Sequence, residues 1–188
     1  MKKIEKGTYG YIRRMKLYTT IRTIVLFAMA LGLYATGYVW TGTNKNLLTI
    51  VAILGLLPSA KSMVNMIMFL RFRSLDPSVF EKYEKIRGGL HILYENIMTT
   101  TKQAYLLDVL AYKNHTVCAF CEKAGDLAAL EELILETLKA KNTGVTVKIF
   151  PDERAFMKRM ETMEQMHAEE DDDKTADIVL STIKALSL

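Results

Sequence analysis

Cys118-Ala-Phe-Cys121 is the one formal chemical motif in the chain. A C-x-x-C pair at the start of a helix lowers one thiol pKa and supports dithiol exchange, and with further ligands such as His115 it could hold zinc. The setting favours neither chemistry. No second C-x-x-C exists, and TVCAFC alternates like a strand, which puts Cys118 and Phe120 on one face and Val117, Ala119 and Cys121 on the other. Two small buried hydrophobes in a reducing compartment account for the pair, leaving Cys118, Cys121 and His115 as the candidate thiol or metal site.

Asp108, Glu122 and Lys123 form the second constellation. It loosely resembles the acidic and basic set of metal-dependent nucleases, in which carboxylates hold Mg²⁺ and a lysine orients water. That set ends in an acid and a lysine two apart on one strand face, whereas Glu122 and Lys123 are adjacent and point opposite ways. His91, His115 and His167 are scattered, with no H-E-x-x-H, and there is no glycine-rich phosphate loop. The acidic run Glu169 to Asp173 lacks the spacing of a calcium loop and reads as solvated charge. Met157, Met160, Met163 and Met166 recur every three residues and read as a packing seam. The chain is therefore expected to be no enzyme, with no resident metal or cofactor.

Lys61 is the third feature, because it interrupts an apolar run, LGLLPSAKSMVN at 54–65. A charge within a membrane span is costly unless it snorkels, pairs or faces water. Pro58 removes a backbone donor just before it, Ser59, Ser62 and Asn65 recur every three residues, and Lys61 and Asn65 are four apart. Pro58, Ser59, Lys61, Ser62 and Asn65 together read as a polar ridge that glues helices, tolerates lipid, or lines a solvated path.

The elements that must position these groups divide at the membrane. Residues 23–40 carry no charge and residues 47–70 only Lys61, and segments of about 20 residues cross a hydrocarbon core of roughly 30 Å. Joined by an outer loop at 41–46, they predict a two-helix transmembrane hairpin retained in the mature protein, since ATGYVW ends with bulky residues rather than a clean small-x-small cleavage site. Residues 1–73 hold 11 basic residues against one acid, residues 74–188 hold 14 against 20, and the chain as a whole is +4. Basic residues gather on the cytoplasmic side, which predicts a multi-pass protein of the inner (plasma) membrane with both termini cytoplasmic. Arg13, Arg14, Lys16, Arg22, Arg71 and Arg73 are placed to meet anionic headgroups, and the acidic remainder argues against nucleic acid as a partner.

After a basic leader (1–22) and the hairpin (23–70), residues 71–102 read as a linker: Asp76 and Pro77 start one helix, Gly88-Gly89 interrupts it and LHILYENIM resumes it as a second. Residues 103–168 predict a cytoplasmic α+β domain in β-β-α-β-α order with about three strands, its first helix capped by Asp126 and closed near Gly144. An acidic tail, 169–188, ends in a short helix that docks on its own domain or, as the alternative, on a neighbour or a partner. So small a sheet predicts a homo-oligomer. The function expected is a membrane scaffold, adaptor or regulatory subunit that binds itself or a protein partner. The alternatives are an oligomeric channel or transport component, and a membrane-tethered thiol-redox or metal-dependent enzyme.

Overall fold

The computed structural model describes residues 5–122, 125–167 and 172–188. It has two compact units: Ile12–Arg73, and a second that joins the N-terminal segment up to Tyr11 with Ser74–Leu188.

Within the first unit, α1 (Tyr11–Thr41) and α2 (Leu47–Leu70) form a hairpin, and both are long and apolar enough to cross a membrane. The helix that contains the first apolar segment begins well before it, so the basic stretch from Tyr11 to Arg22 is helical too. Gly42, at φ 65, turns the chain out of α1, and Asn46 caps α2 by accepting from the Thr49 N–H at 2.8 Å. The Asn46 amide also donates to the Thr41 hydroxyl at 2.9 Å, which ties the two helix ends together.

The hairpin seam is made of small and hydroxyl residues. Thr19, Thr23, Ala30 and Gly37 are buried on α1, as are Ala52, Ser59 and Ser62 on α2. Three contacts fix one antiparallel register: the Thr23 and Ser62 hydroxyls are 2.9 Å apart, a Cβ on Gly55 would lie 3.8 Å from the Ala30 Cβ, and one on Gly37 would lie 2.9 Å from the Leu48 Cβ. Each seven-residue step along α1 is matched by a seven-residue step back along α2, the repeat that keeps a seam facing its partner. The large apolar residues, among them Ile24, Met29, Leu31, Ile50, Leu54 and Leu57, face outward and exposed.

The second unit is α+β, with four strands rather than three. Its sheet has the order β1 (His91–Thr99), β2 (Ala104–Lys113), β3 (Thr116–Phe120), β4 (Thr146–Phe150); the first three are antiparallel and β4 lies parallel to β3. The added strand is β1, where the sequence suggested a second linker helix over LHILYENIM. Ile92 and Tyr94 pack on one face of the sheet while Leu93 and Met98 pack on the other, so the run is apolar because it is buried on both sides. α3 (Pro77–Ile86) and α5 (Glu153–Glu164) cover one face, while α4 (Leu127–Lys139) and α6 (Asp172–Leu186) cover the other. Of the methionine stripe, Met160 and Met163 are fully buried in the α5 seam and Met157 is half-buried, whereas Met166 lies beyond the end of α5 and is exposed. α6 docks on its own domain, against α4 and β1.

The exposed edge of β1 is covered by both ends of the chain. The Tyr94 N–H donates to the Gly7 carbonyl at 3.0 Å, and Tyr9 stacks on Phe80 of α3 at 4.2 Å. Farther along, Leu188 N–H donates to the Ile97 carbonyl at 2.9 Å and Ile97 N–H donates to the Ser187 hydroxyl at 3.2 Å. Lys6 Nζ then donates to the Ser187 carbonyl, and Tyr11 OH donates to the Leu188 carbonyl at 2.8 Å. Backbone groups that would invite a foreign strand are thus used internally.

Candidate functional site

The most unusual local chemistry lies where β1 and β2 break step together. In β1, Ile92 and Tyr94 face α3 and α5, but Met98 faces α4 and α6; in β2, Tyr105 and Leu107 face α4 and α6, but Val109 and Ala111 face the other layer. Strict alternation would keep each set on one side. The break falls between the pairs Tyr94↔Val109 and Asn96↔Leu107, at Glu95 and Asp108. Glu95 has φ 53, a left-handed conformation that costs a non-glycine residue energy and is retained where the surroundings hold it.

The surroundings of Glu95 are visible. Its buried carboxylate accepts from the Leu75 N–H at 3.0 Å and from the Ser74 hydroxyl, the two residues that open the second unit after Arg73. Asp108, half-buried opposite, is pushed up to about 7 from 3.8. Burial is the main cause, and the negative charges of Glu122 and then Glu95 add to it, against backbone hydrogen bonds that pull the other way. The structure therefore brings Asp108 and Glu122 together, as the sequence suggested, and adds Glu95. Lys123 lies outside the described residues. Among the described residues no three His, Cys, Asp or Glu side chains are grouped to hold a metal.

The cysteines do not converge. Cys118 packs in the α3/α5 layer and Cys121 in the α4 layer, both are buried and neither is in a disulfide. Burial pushes the Cys118 thiol up, more than the nearby Arg159 guanidinium pulls it down. His115 sits with Asn114 in a tight turn between β2 and β3, both at positive φ, where its carbonyl accepts from Thr146 N–H at 2.8 Å. Of the acidic run, Glu169 to Asp171 lie outside the described residues, as do the side chains of Asp172 and Asp173.

The polar ridge of α2 is split. Ser59 and Ser62 turn inward: the Ser59 hydroxyl donates to the Gly55 carbonyl at 2.8 Å, and Ser62 meets Thr23. Pro58, Lys61 and Asn65 are exposed. Of the basic residues expected at headgroups, Arg13, Arg14, Arg22, Arg71 and Arg73 are exposed, and Lys16 is half-exposed. Sequence reasoning did not reach Thr23 or Glu95. The seven-residue recurrence of Thr23, Ala30 and Gly37 was the available signal for the first, and a lone carboxylate amid HILYENIM for the second.

No protein-family model, curated protein or solved structure matches this chain.

Proposed function

We propose that the chain is a two-span protein of the inner (plasma) membrane, with both ends in the cytoplasm, whose α+β unit serves self-association or the binding of a protein partner and carries out no reaction. The observation that supports this most is the inverted dress of the hairpin. Its seam hides threonine, serine, glycine and alanine while leucine, isoleucine, valine and methionine face out, an arrangement suited to lipid and unsuited to water. Tyr34, Tyr38 and Trp40 are exposed near the loop end, where an interfacial aromatic belt belongs, and the basic residues cluster at the opposite end. Soluble monomers seldom leave so large a contiguous apolar surface uncovered.

Carbonate extraction of native membranes tests insertion. Labelling of single cysteines at Thr43 and Ser181 with an impermeant reagent, in a Cys118→Ser/Cys121→Ser background, tests orientation. Retention in the pellet, with Thr43→Cys labelled from outside and Ser181→Cys only after permeabilisation, is the expected result. Recovery in the supernatant would remove the reading. Crosslinking and native mass spectrometry of the full chain test self-association.

One observation favours a second reading. A carboxyl titrating near 7 beside Glu122 is in the range useful to a general acid or base, so Asp108 would be the centre of a membrane-tethered enzyme. Loss of a cellular phenotype in Asp108→Asn with unchanged abundance would support it.

A further inference from the structure

We infer that Arg22, Lys61 and Asn65 form a binding site for the phosphate of an anionic phospholipid in the inner leaflet. The inference rests on the reading that the hairpin spans the membrane.

The register places the three residues. Thr23 and Ser62 face each other across the seam, so Arg22 and Lys61 are each one residue before a matched position. In antiparallel helices those single steps run in opposite directions along the axis, about 1.5 Å each, so the two residues differ in level by about 3 Å. Each is turned about 100° from the seam. Because both helices are right-handed and run oppositely, the two turns lead to the same side of the hairpin. Asn65 is three residues after Ser62, which brings it about 60° off the seam on that same side and about 4.5 Å farther toward the cytoplasm. Two cations and an amide donor thus flank one groove between the helices within about one helical turn, and all three are exposed.

The depth is equally specific. From Thr23 to Thr41 on α1 and from Leu47 to Ala60 on α2 there is no charged residue, about 28 Å of helix on α1 and about 21 Å on α2, and the longer stretch matches a hydrocarbon core of roughly 30 Å. Arg22 and Lys61 together mark its inner boundary. Sliding the hairpin outward would carry both charges into hydrocarbon rather than one. Lys61 is therefore the upper member of a pair at headgroup depth, which explains an exposed lysine in the middle of α2.

The occupant must bring the negative charge. Neither α1 nor α2 contains an acidic residue, and Glu5 is the single acid before Asp76, so a second copy of the hairpin has no carboxylate to offer at this level. A phospholipid phosphate suits the arrangement: the guanidinium fork of Arg22 can bind two of its oxygens, Lys61 supplies a point charge from above, and Asn65 donates from below. The groove beside them, lined by exposed Leu54 and Pro58, is apolar enough for an acyl chain.

The test uses the full chain purified in neutral detergent. It is offered phosphatidylcholine alone or mixed with phosphatidylglycerol, and retained lipid is counted by native mass spectrometry. Wild type should retain phosphatidylglycerol preferentially, and Arg22→Gln/Lys61→Gln should lose that preference about tenfold or more. Arg13→Gln/Arg14→Gln, which removes as much positive charge one helix segment away, should keep it. Equal loss in both variants, or no loss in the first, overturns the site in favour of diffuse attraction. Retention by Arg22→Gln/Lys61→Gln, together with crosslinking of Lys61 in the wild-type chain to an acidic span of another protein, overturns it in favour of a protein partner. A wild-type chain that carbonate strips from membranes is a separate result, which defeats the spanning reading itself.

Discussion

The hydroxyls of Thr23 and Ser62 are 2.9 Å apart, one hydrogen bond toward the end of the seam away from the loop, where the rest is made by close approach of small residues. Thr23 also reaches back to the Thr19 carbonyl at 2.7 Å, so its oxygen both donates within its helix and is available to accept from the other. The bond fixes which turn of α1 meets which turn of α2.

That register predicts a disulfide. Thr23→Cys/Ser62→Cys, in a Cys118→Ser/Cys121→Ser background, should oxidise within one chain and shift on a non-reducing gel, whereas Thr23→Cys/Val64→Cys should not. Gly37→Ala should destabilise the hairpin by about 1–3 kcal/mol, because its added Cβ would sit 2.7 Å from Asn46 Oδ1 and 2.9 Å from the Leu48 Cβ. Thermal unfolding in detergent measures it.

Asp108 predicts a pH dependence. Its carboxyl titrates near 7 in the folded chain against 3.8 for an ordinary aspartate. Between those values the folded state holds a proton that the unfolded chain has lost, so stability is highest below the lower value and falls as pH rises through the upper one. Asp108→Asn should flatten that fall, making the variant the more stable protein at about pH 8 and the difference small near pH 4. Because the group is half-exposed, the gain should be well below what the shift alone implies. A melting-temperature series against pH decides it.

Glu95 should behave as a keystone rather than a surface acid. Glu95→Ala removes the acceptor for the Leu75 N–H and the Ser74 hydroxyl, and a cost of about 1–3 kcal/mol is expected. Glu95→Gln keeps part of the hydrogen bonding but deletes a charge that raises Asp108. It should therefore shift the pH midpoint of unfolding downward, a readout that general loosening would not produce.

Much of this architecture was legible because its signals are local. Asp126 and Asp152 cap α4 and α5 by accepting from Ala129 and Ala155 N–H groups, Leu130, Ile134 and Leu138 form the buried stripe of α4, and TVCAFC alternates as its residue types imply. β1 was hidden because a strand buried on both faces loses its period, and Glu95 shifts the phase midway. The division of the Ser59, Lys61, Ser62 and Asn65 ridge was hidden for another reason. Spacing says which residues share a face, but only the pairing with Thr23 says which face is turned inward. Asp108 and Glu122 could be paired from residue type, whereas the contribution of Glu95 depends on which β1 residue stands across from Asp108.

The edge of β1 carries the last prediction. Ile97 spends its N–H on the Ser187 hydroxyl and its carbonyl on Leu188 N–H, while Lys6 and Tyr11 hold the Ser187 and Leu188 carbonyls from the segment that enters α1. Removing residues 187–188 should cost little of the core, since Val179 and Ile183 keep α6 seated. It should nevertheless free the Ile97 edge for exchange and leave Lys6 and Tyr11 without these acceptors. Hydrogen exchange on the full chain should then rise at Ile97 and across residues 5–11 while β2 and β3 stay protected, the mark of a local opening rather than global loss. An unfastened edge strand also templates pairing with other chains, so the truncated protein should self-associate more with concentration than wild type does. If exchange at Ile97 and Tyr11 is unchanged, the two ends of the chain are not fastening one another at β1.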